Sequence, residues 1–211
     1  VSLPENALKY AVGAEKAGAD AIKLHMNVKH RVTGKVHLSW NETKDAIKEI
    51  ISVVKIPVGI VPGAEIMASD EDIREMIEAG ISFVDAYAEY LPLRVARLPV
   101  CKMIALNHTS SDSIIPFLPE AGADCLELSI VHPEHYGQPL SVEDYTLYKS
   151  YLRQTTLPAF IPTQKAMTPD DCRFLVKNGF KGIIIGAIVT GLDTDNFEET
   201  IRKYRSAVQN G

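Results

Sequence analysis

Four segments of this chain are written alike: KAGADAIKL from Lys16, EAGISFVDA from Glu78, EAGADCLEL from Glu120 and KNGFKGIII from Lys177. Each hands an amphipathic run directly to a short apolar one. A helix commonly closes on a residue with positive φ, and glycine takes that conformation without a Cβ clash. Gly18, Gly80, Gly122 and Gly179 are therefore predicted to lie just past helix ends. A second junction alternates with the first: KIPVGIV from Lys55, RLPVCKMI from Arg97 and TLPAFIP from Thr156. Here Pro57, Pro99 and Pro158 stop a helix and open a strand, where the missing N–H of proline is tolerated.

The two junctions alternate strictly along the chain and precede seven strand-like runs: 21–27, 58–63, 83–88, 101–108, 125–131, 159–163 and 182–188. These are short, apolar and β-branched, as strands covered on both faces are. Helical patterns separate them. NETKDAIKEIISVV reads with Asn41 as N-cap, SDEDIREMIEAG with Ser69 as N-cap and Asp72 three residues on, and TPDDCRFLVKNG with Thr168 as N-cap and Pro169 behind it. A final helical pattern, TDNFEETIRKYRSAVQ, closes the chain. Strand–helix alternation predicts α/β architecture with a parallel sheet in one domain spanning 1–211. The chain opens with a helical pattern, LPENALKYAVGAEKAG, so a proline-type strand is due before it. The expectation is a (βα)8 TIM barrel whose first strand is missing from the sequence as given. An open doubly wound sheet is the alternative, but the chain has no Gly-x-Gly-x-x-Gly loop to hold a dinucleotide.

The 211 residues are 46% hydrophobic, enough for a sizeable core, and carry a formal charge of -5. No basic stripe suggests nucleic acid, and no apolar run approaches the roughly 20 residues of a membrane helix. Of the three cysteines, Cys101, Cys125 and Cys172, the first two open apolar runs and are expected as buried free thiols of a reducing compartment. With no signal-peptide pattern at Val1, a cytoplasmic protein is expected. No cofactor is expected; a homo-oligomer is compatible with the sequence.

In barrels of this kind the active site lies at the C-terminal ends of the strands. Strand alternation puts Lys23, His25 and Asn27 on one face, Asp85 and Tyr87 on another strand's, and Glu127 with Ser129 on a third. Lys102 and Asn107 have opposite parity on their run, and His132 follows Ser129 into a loop. A lysine beside a carboxylate suits proton transfer, and equally suits a purely structural ion pair. His25, His108 and His132, with HPEH placing His135 three residues on, invite a metal reading. Pro133 removes the helical ligand spacing, and no metal is expected. FIPTQKAMTPDD leaves its strand through Thr163, Gln164 and Lys165, and GIIIGAIVTG leaves its own through Gly186, Ala187 and Ile188. Barrels often bind phosphate between these last two loops, on backbone N–H groups.

On those residues the sequence resembles the ribulose-phosphate-binding barrels. NGFKGIIIGAIVTG is similar to the phosphate loop of N-acetylmannosamine-6-phosphate 2-epimerases and their relatives, and VKIPVGIVPGAE to their third strand. The resemblance implies the barrel fold and a phosphate site. It implies no catalytic set. Pro62 stands where those epimerases carry a lysine, and Pro162 or Thr163 where they carry a glutamate. Of the metal ligands of ribulose-phosphate 3-epimerases only His25 has a counterpart. Glu127 stands where class I aldolases carry a Schiff-base lysine.

The expected function is an enzyme acting on a small phosphorylated metabolite, an isomerase or epimerase by proton transfer next to a carbonyl. Glu127 is its expected base. Lys23 and His25 polarise the carbonyl or return the proton, Asp85 orients Lys23, and Asn27, Lys102, Asn107, Ser129 and His132 contact substrate. Thr163, Gln164, Gly186, Ala187 and Ile188 hold the phosphate. The loop VKHRVTGKVHLSWNET is a candidate lid. A Schiff-base aldolase or lyase on Lys23 or Lys102, and a non-catalytic phospholigand-binding barrel, are the alternatives.

Overall fold

A computed structural model describes residues 6–29, 34, 38–191 and 196–209. These fall into two compact units, divided between Met103 and Ile104. In the first unit α1 (Ala7–Lys16), β1 (Ile22–His25), α2 (Trp40–Val53), β2 (Val58–Val61), α3 (Asp70–Glu78) and β3 (Phe83–Tyr87) alternate. The strand β4 (Cys101–Asn107) contains the division. In the second unit β5 (Cys125–Ser129), α4 (Val142–Leu152), β6 (Ala159–Pro162), α5 (Pro169–Lys177), β7 (Gly182–Ile184), α6 (Ala187–Thr190) and α7 (Phe197–Gln209) follow. Short 3-10 helices span Asp112–Phe117 and Pro133–His135. No helix among the described residues is long and apolar enough to cross a membrane.

The repeated glycine junction is one structure four times over. Gly18, Gly80, Gly122 and Gly179 have φ of 94, 105, 102 and 102°. At each, the glycine N–H reaches back three residues and the next N–H reaches back five. The pairs are Gly18–Glu15 with Ala19–Ala14, Gly80–Ile77 with Ile81–Met76, Gly122–Pro119 with Ala123–Leu118, and Gly179–Val176 with Phe180–Leu175. That is the Schellman pattern, which satisfies the last carbonyls of a helix while turning the chain. At Gly122 it closes a turn after a 3-10 helix, not an α-helix, because Pro116 and Pro119 interrupt helical hydrogen bonding there.

The proline junctions place each Pro-type strand beside a Gly-type strand. The Pro57 carbonyl accepts from Ile22 N–H and the Pro158 carbonyl from Leu126 N–H, both at 2.9 Å. Strands β1, β2 and β3 run parallel, with Lys23 opposite Gly59 and Gly59 opposite Phe83. Strands β5, β6 and β7 do the same, with Glu127 opposite Phe160 and Phe160 opposite Gly182. Each unit thus sets a charged residue, a glycine and a phenylalanine in one cross-strand row. A Cβ on Gly59 would lie 2.1 Å from the Phe83 ring, and one on Gly182 3.1 Å from the Phe160 ring. The aromatic ring fills the space that the neighbouring glycine leaves open.

The opposite faces are apolar. Ile22, Leu24 and Met26, Val58 and Ile60, and Val84 and Ala86 are buried in the first unit; Leu126, Leu128, Ala159 and Ile161 in the second. Helix α1 packs on α2, and α5 on α7. Trp40, fully buried, donates its indole N–H to Glu75 at 2.7 Å, which ties α2 to α3.

Some expectations change. The N-cap of α2 is Ser39, not Asn41: Glu42 accepts from its N–H and its hydroxyl, a box that Asn41 has no partner residue to make. Ser69 and Thr168 are N-caps as expected, closed by Asp72 and Asp171. Cys101 is exposed because it opens β4, before the strand enters the core, while Cys125 and Cys172 are buried. Pro99 follows a series of turns and no helix. The last strand stops at Ile184, so Ala187 and Ile188 begin α6. Residues 3–5 of the opening helical pattern, residues 194 and 195 of the final one, and residues 30–33 and 35–37 of the expected lid lie outside the described residues.

Gly80 tests the junction. Its substitution by alanine adds a strained φ and a Cβ 3.1 Å from Ile51 Cγ2. Urea unfolding of Gly80→Ala is expected to show a loss of about 1–2 kcal/mol.

Candidate functional site

In the first unit the face shared by Lys23, His25 and Asn27 is the less buried one, as alternation predicts. Lys23 pairs with Asp85, two strands away on the matching face of β3. The missing side chain at Gly59 leaves the Phe83 ring to floor this crossing. The carboxylate is buried and the Lys23 side chain is 12% exposed, so the pair is largely desolvated. Asn27 has φ 52° and donates its carboxamide to the Pro62 carbonyl at 3.2 Å. Its backbone N–H donates to Leu38. It therefore shapes the strand end, whatever else it touches. His25 is half-buried, in register with Val61.

On β4, Lys102 is the second residue and Asn107 the last. The Asn107 carboxamide oxygen accepts from Thr109 N–H, Thr109 hydroxyl and Ser110 hydroxyl. This is a closed asparagine turn.

In the second unit Glu127 and Ser129 are buried on one face of β5. Gln164 is the hub beyond them. Its carboxamide N–H groups face Ser129 Oγ at 2.9 Å, Ser129 carbonyl at 3.2 Å and Tyr136 hydroxyl at 2.6 Å. Its oxygen accepts from Val131 N–H, and its own carbonyl from Gly137 N–H. Gln164 thus pins the loop after β5 to the loop after β6, and its side chain is fully engaged in doing so. Thr163 joins the next loop. Its N–H donates to the Ile184 carbonyl at 2.9 Å, its hydroxyl faces the same oxygen at 3.3 Å, and Gly186 N–H donates to the hydroxyl at 2.8 Å. Gly186 is the N-cap of α6, which Ala187 and Ile188 open.

His132 ends the β5 loop at the start of a 3-10 helix, where its Nδ1 accepts from Glu134 N–H at 3.3 Å. His108 stands against it, ring centroids 4.8 Å apart at 85°, and His135 lies 5.9 Å away. Among the described residues no group of three His, Cys, Asp or Glu is placed to hold a metal ion.

The sequence reading did not single out Lys165 as a site residue. Its side chain is 4% exposed and its ammonium lies 3.0 Å from Asp144 Oδ2. That oxygen also accepts from Ser141 N–H and hydroxyl. Burial pushes the Asp144 carboxyl up, but the Ser141 hydrogen bonds and Lys165 outweigh it and hold the carboxyl below its ordinary value. The Tyr148 hydroxyl, one helical turn on, is buried without a hydrogen-bond partner, and burial with Asp144 and Tyr136 nearby raises its pKa. The capping signature SVED at 141–144 is one that the sequence reading does not single out, and its carboxylate also serves a lysine twenty-one residues on.

No protein-family model matches the sequence, and no curated protein does. Solved structures do match in fold. Tryptophan synthase subunit alpha from Legionella pneumophila str. Paris is 16% identical, with a TM-score of 0.67 over 99% of this chain and 88% of its own. Phosphoribosyl anthranilate isomerase from Thermus thermophilus is 15% identical, with 0.68 over 96% and 94%. The 4-hydroxy-2-oxoglutarate aldolase/2-deydro-3-deoxyphosphogluconate aldolase from TTHB1 is 13% identical, with 0.65 over 99% and 90%. At such identities the likeness shows the fold: the parallel α/β arrangement of TIM-barrel enzymes.

Two stability experiments follow. Asp85→Ala removes the buried carboxylate that pairs with Lys23 and is expected to cost about 3–5 kcal/mol in urea unfolding; pairing it with Lys23→Met is expected to recover most of that. Asp144 favours its ionised form when folded. Its contribution is present above its ordinary value of 3.8 and fades as pH falls through the lower folded value. Asp144→Asn is expected to be less stable than the parent at pH 7 and to converge with it by pH 2–3 in thermal unfolding.

Proposed function

We propose that this chain is an enzyme acting on a small phosphorylated metabolite, a sugar phosphate or close analogue, on a (βα)8 barrel. The reaction is isomerisation or epimerisation by proton transfer next to a carbonyl. One observation carries the reading. The Thr163 hydroxyl and Gly186 N–H bring the loops after β6 and β7 together where α6 begins. In this reading the phosphate sits on Thr163, Gly186, Ala187 and Ile188, and Gln164 positions the adjoining loop without touching it. The names of two fold neighbours carry phosphorylated compounds, a phosphoribosyl anthranilate and a phosphogluconate, which is in keeping with such a ligand.

Glu127 is the proposed base. It is buried on β5, two residues before Ser129, and a buried carboxylate near a developing enolate is suited to accept a carbon-bound proton. Between the isomerase and Schiff-base readings, the Lys23–Asp85 pair favours the first. It engages Lys23 as an ammonium, and a Schiff-base lysine reacts as the free amine. The protein is proposed to work in the cytoplasm without a cofactor.

Gly186 separates binding from folding. Its backbone is extended, and an added Cβ would sit 3.6 Å from Thr163 Oγ1, an ordinary contact. Gly186→Ala is expected to leave the thermal midpoint nearly unchanged while weakening inorganic phosphate and sugar phosphates about tenfold or more by calorimetric titration, since a methyl group would stand where the ligand approaches the backbone. Undiminished affinity in that variant would remove the phosphate seat from the proposal.

A further inference from the structure

The ring of His132 has one nitrogen committed. Nδ1 accepts from the Glu134 backbone N–H at 3.3 Å. An imidazole nitrogen accepts only when it carries a lone pair, so the proton of the neutral ring is on Nε2. The Glu134 carboxylate also lies 3.8 Å from Nδ1, which would suit a protonated ring. That side chain is 83% exposed and free to swing, whereas the backbone N–H is held in place by the 3-10 turn, so the N–H decides the tautomer. His108 packs at right angles to the ring and limits its rotation. The His132 side chain remains 48% exposed. Its loop is the one that Gln164 ties, through Val131 N–H, Tyr136 hydroxyl and Gly137 N–H, to the strand end that carries Thr163.

We infer that His132 acts as a neutral N–H donor, through Nε2, to a carbonyl or carboxylate oxygen of the phosphorylated ligand. This deepens the function proposed above and rests on it. With Nδ1 turned to the backbone, Nε2 is the ring nitrogen that carries the donor. When Glu127 takes the proton from the carbon beside the carbonyl, the C–H electron pair becomes the enolate and negative charge gathers on the carbonyl oxygen. An N–H aimed at that oxygen stabilises the charge without itself carrying the carbon-bound proton, which Glu127 delivers to the former carbonyl carbon while the proton of the hydroxyl on the first carbon passes to the former carbonyl oxygen, leaving the carbonyl one position along. The substrate class is then a phosphate ester with an oxygen acceptor close to its reacting carbon. All the groups this requires, Glu127, His132, Thr163 and Gly186, belong to the second unit.

The test uses the full chain, labelled with nitrogen-15 histidine, and two probes: inorganic phosphate and 2-phosphoglycolate, which adds a carboxylate. Long-range proton–nitrogen spectra, assigned by difference with His132→Gln, are expected to show His132 protonated on Nε2. Its ring signals are expected to move with 2-phosphoglycolate and stay still with phosphate. His132→Ala is expected to weaken 2-phosphoglycolate about tenfold or more and leave phosphate unchanged. His132→Gln, which keeps an N–H, is expected to retain most of the affinity. A proton on Nδ1, or equal effects of His132→Ala on both probes, overturns the inference and leaves the phosphate seat standing. Failure of both probes to bind the parent protein removes the phosphate seat and this inference with it.

Discussion

The architecture depends on ending a helix and starting a strand with only four or five residues between, as from Lys16 to Ile22, Glu78 to Phe83 and Lys177 to Gly182. A helix end leaves carbonyls without partners, and a strand cannot begin until they are satisfied. The Schellman turns at Gly18, Gly80, Gly122 and Gly179 do both at once, by the same two hydrogen bonds each time. Because each turn consumes a fixed number of residues, the phase of the following strand is set as well. That phase is what sends Leu24 and Leu126 toward the helices and leaves Lys23 and Glu127 on the other face.

On that other face the two units solve one packing problem in similar ways. A phenylalanine ring lies over a glycine on the adjacent strand, and a charged residue completes the row. Lys23 finds Asp85 across the glycine strand. Desolvating an ion pair is costly, and such a pair contributes to stability mainly in the sense that breaking it is worse.

Beyond the strands, polar side chains that a sequence reading would offer to a substrate turn out to build the loops. Gln164 is engaged through both ends of its carboxamide and Asn107 through its carboxamide oxygen, and Asn27 is bent into positive φ and holds Pro62. Thr163 links the loops after β6 and β7 by accepting from Gly186 N–H. In the second unit Gln164 orders the loop that carries His132, and Lys165 anchors the start of α4 through Asp144.

The periodic part of this molecule was written in the sequence. Gly and Pro junctions, strand parity and the boxes at Ser69 and Thr168 are local devices, each readable within six residues, and the alternation of strands with helices follows from them. The parity that groups Lys23 with His25, and Glu127 with Ser129, was readable for the same reason. What needed the tertiary structure was every relation between distant segments. Lys23 meets Asp85 because a glycine separates them in register. Lys165 meets Asp144 because α4 begins where β6 ends. Cys101 is exposed because its strand starts outside the core, which no property of the apolar run itself reveals. Sequence specifies which way a side chain leaves its own backbone; what it meets there is decided by chain that may lie sixty residues away.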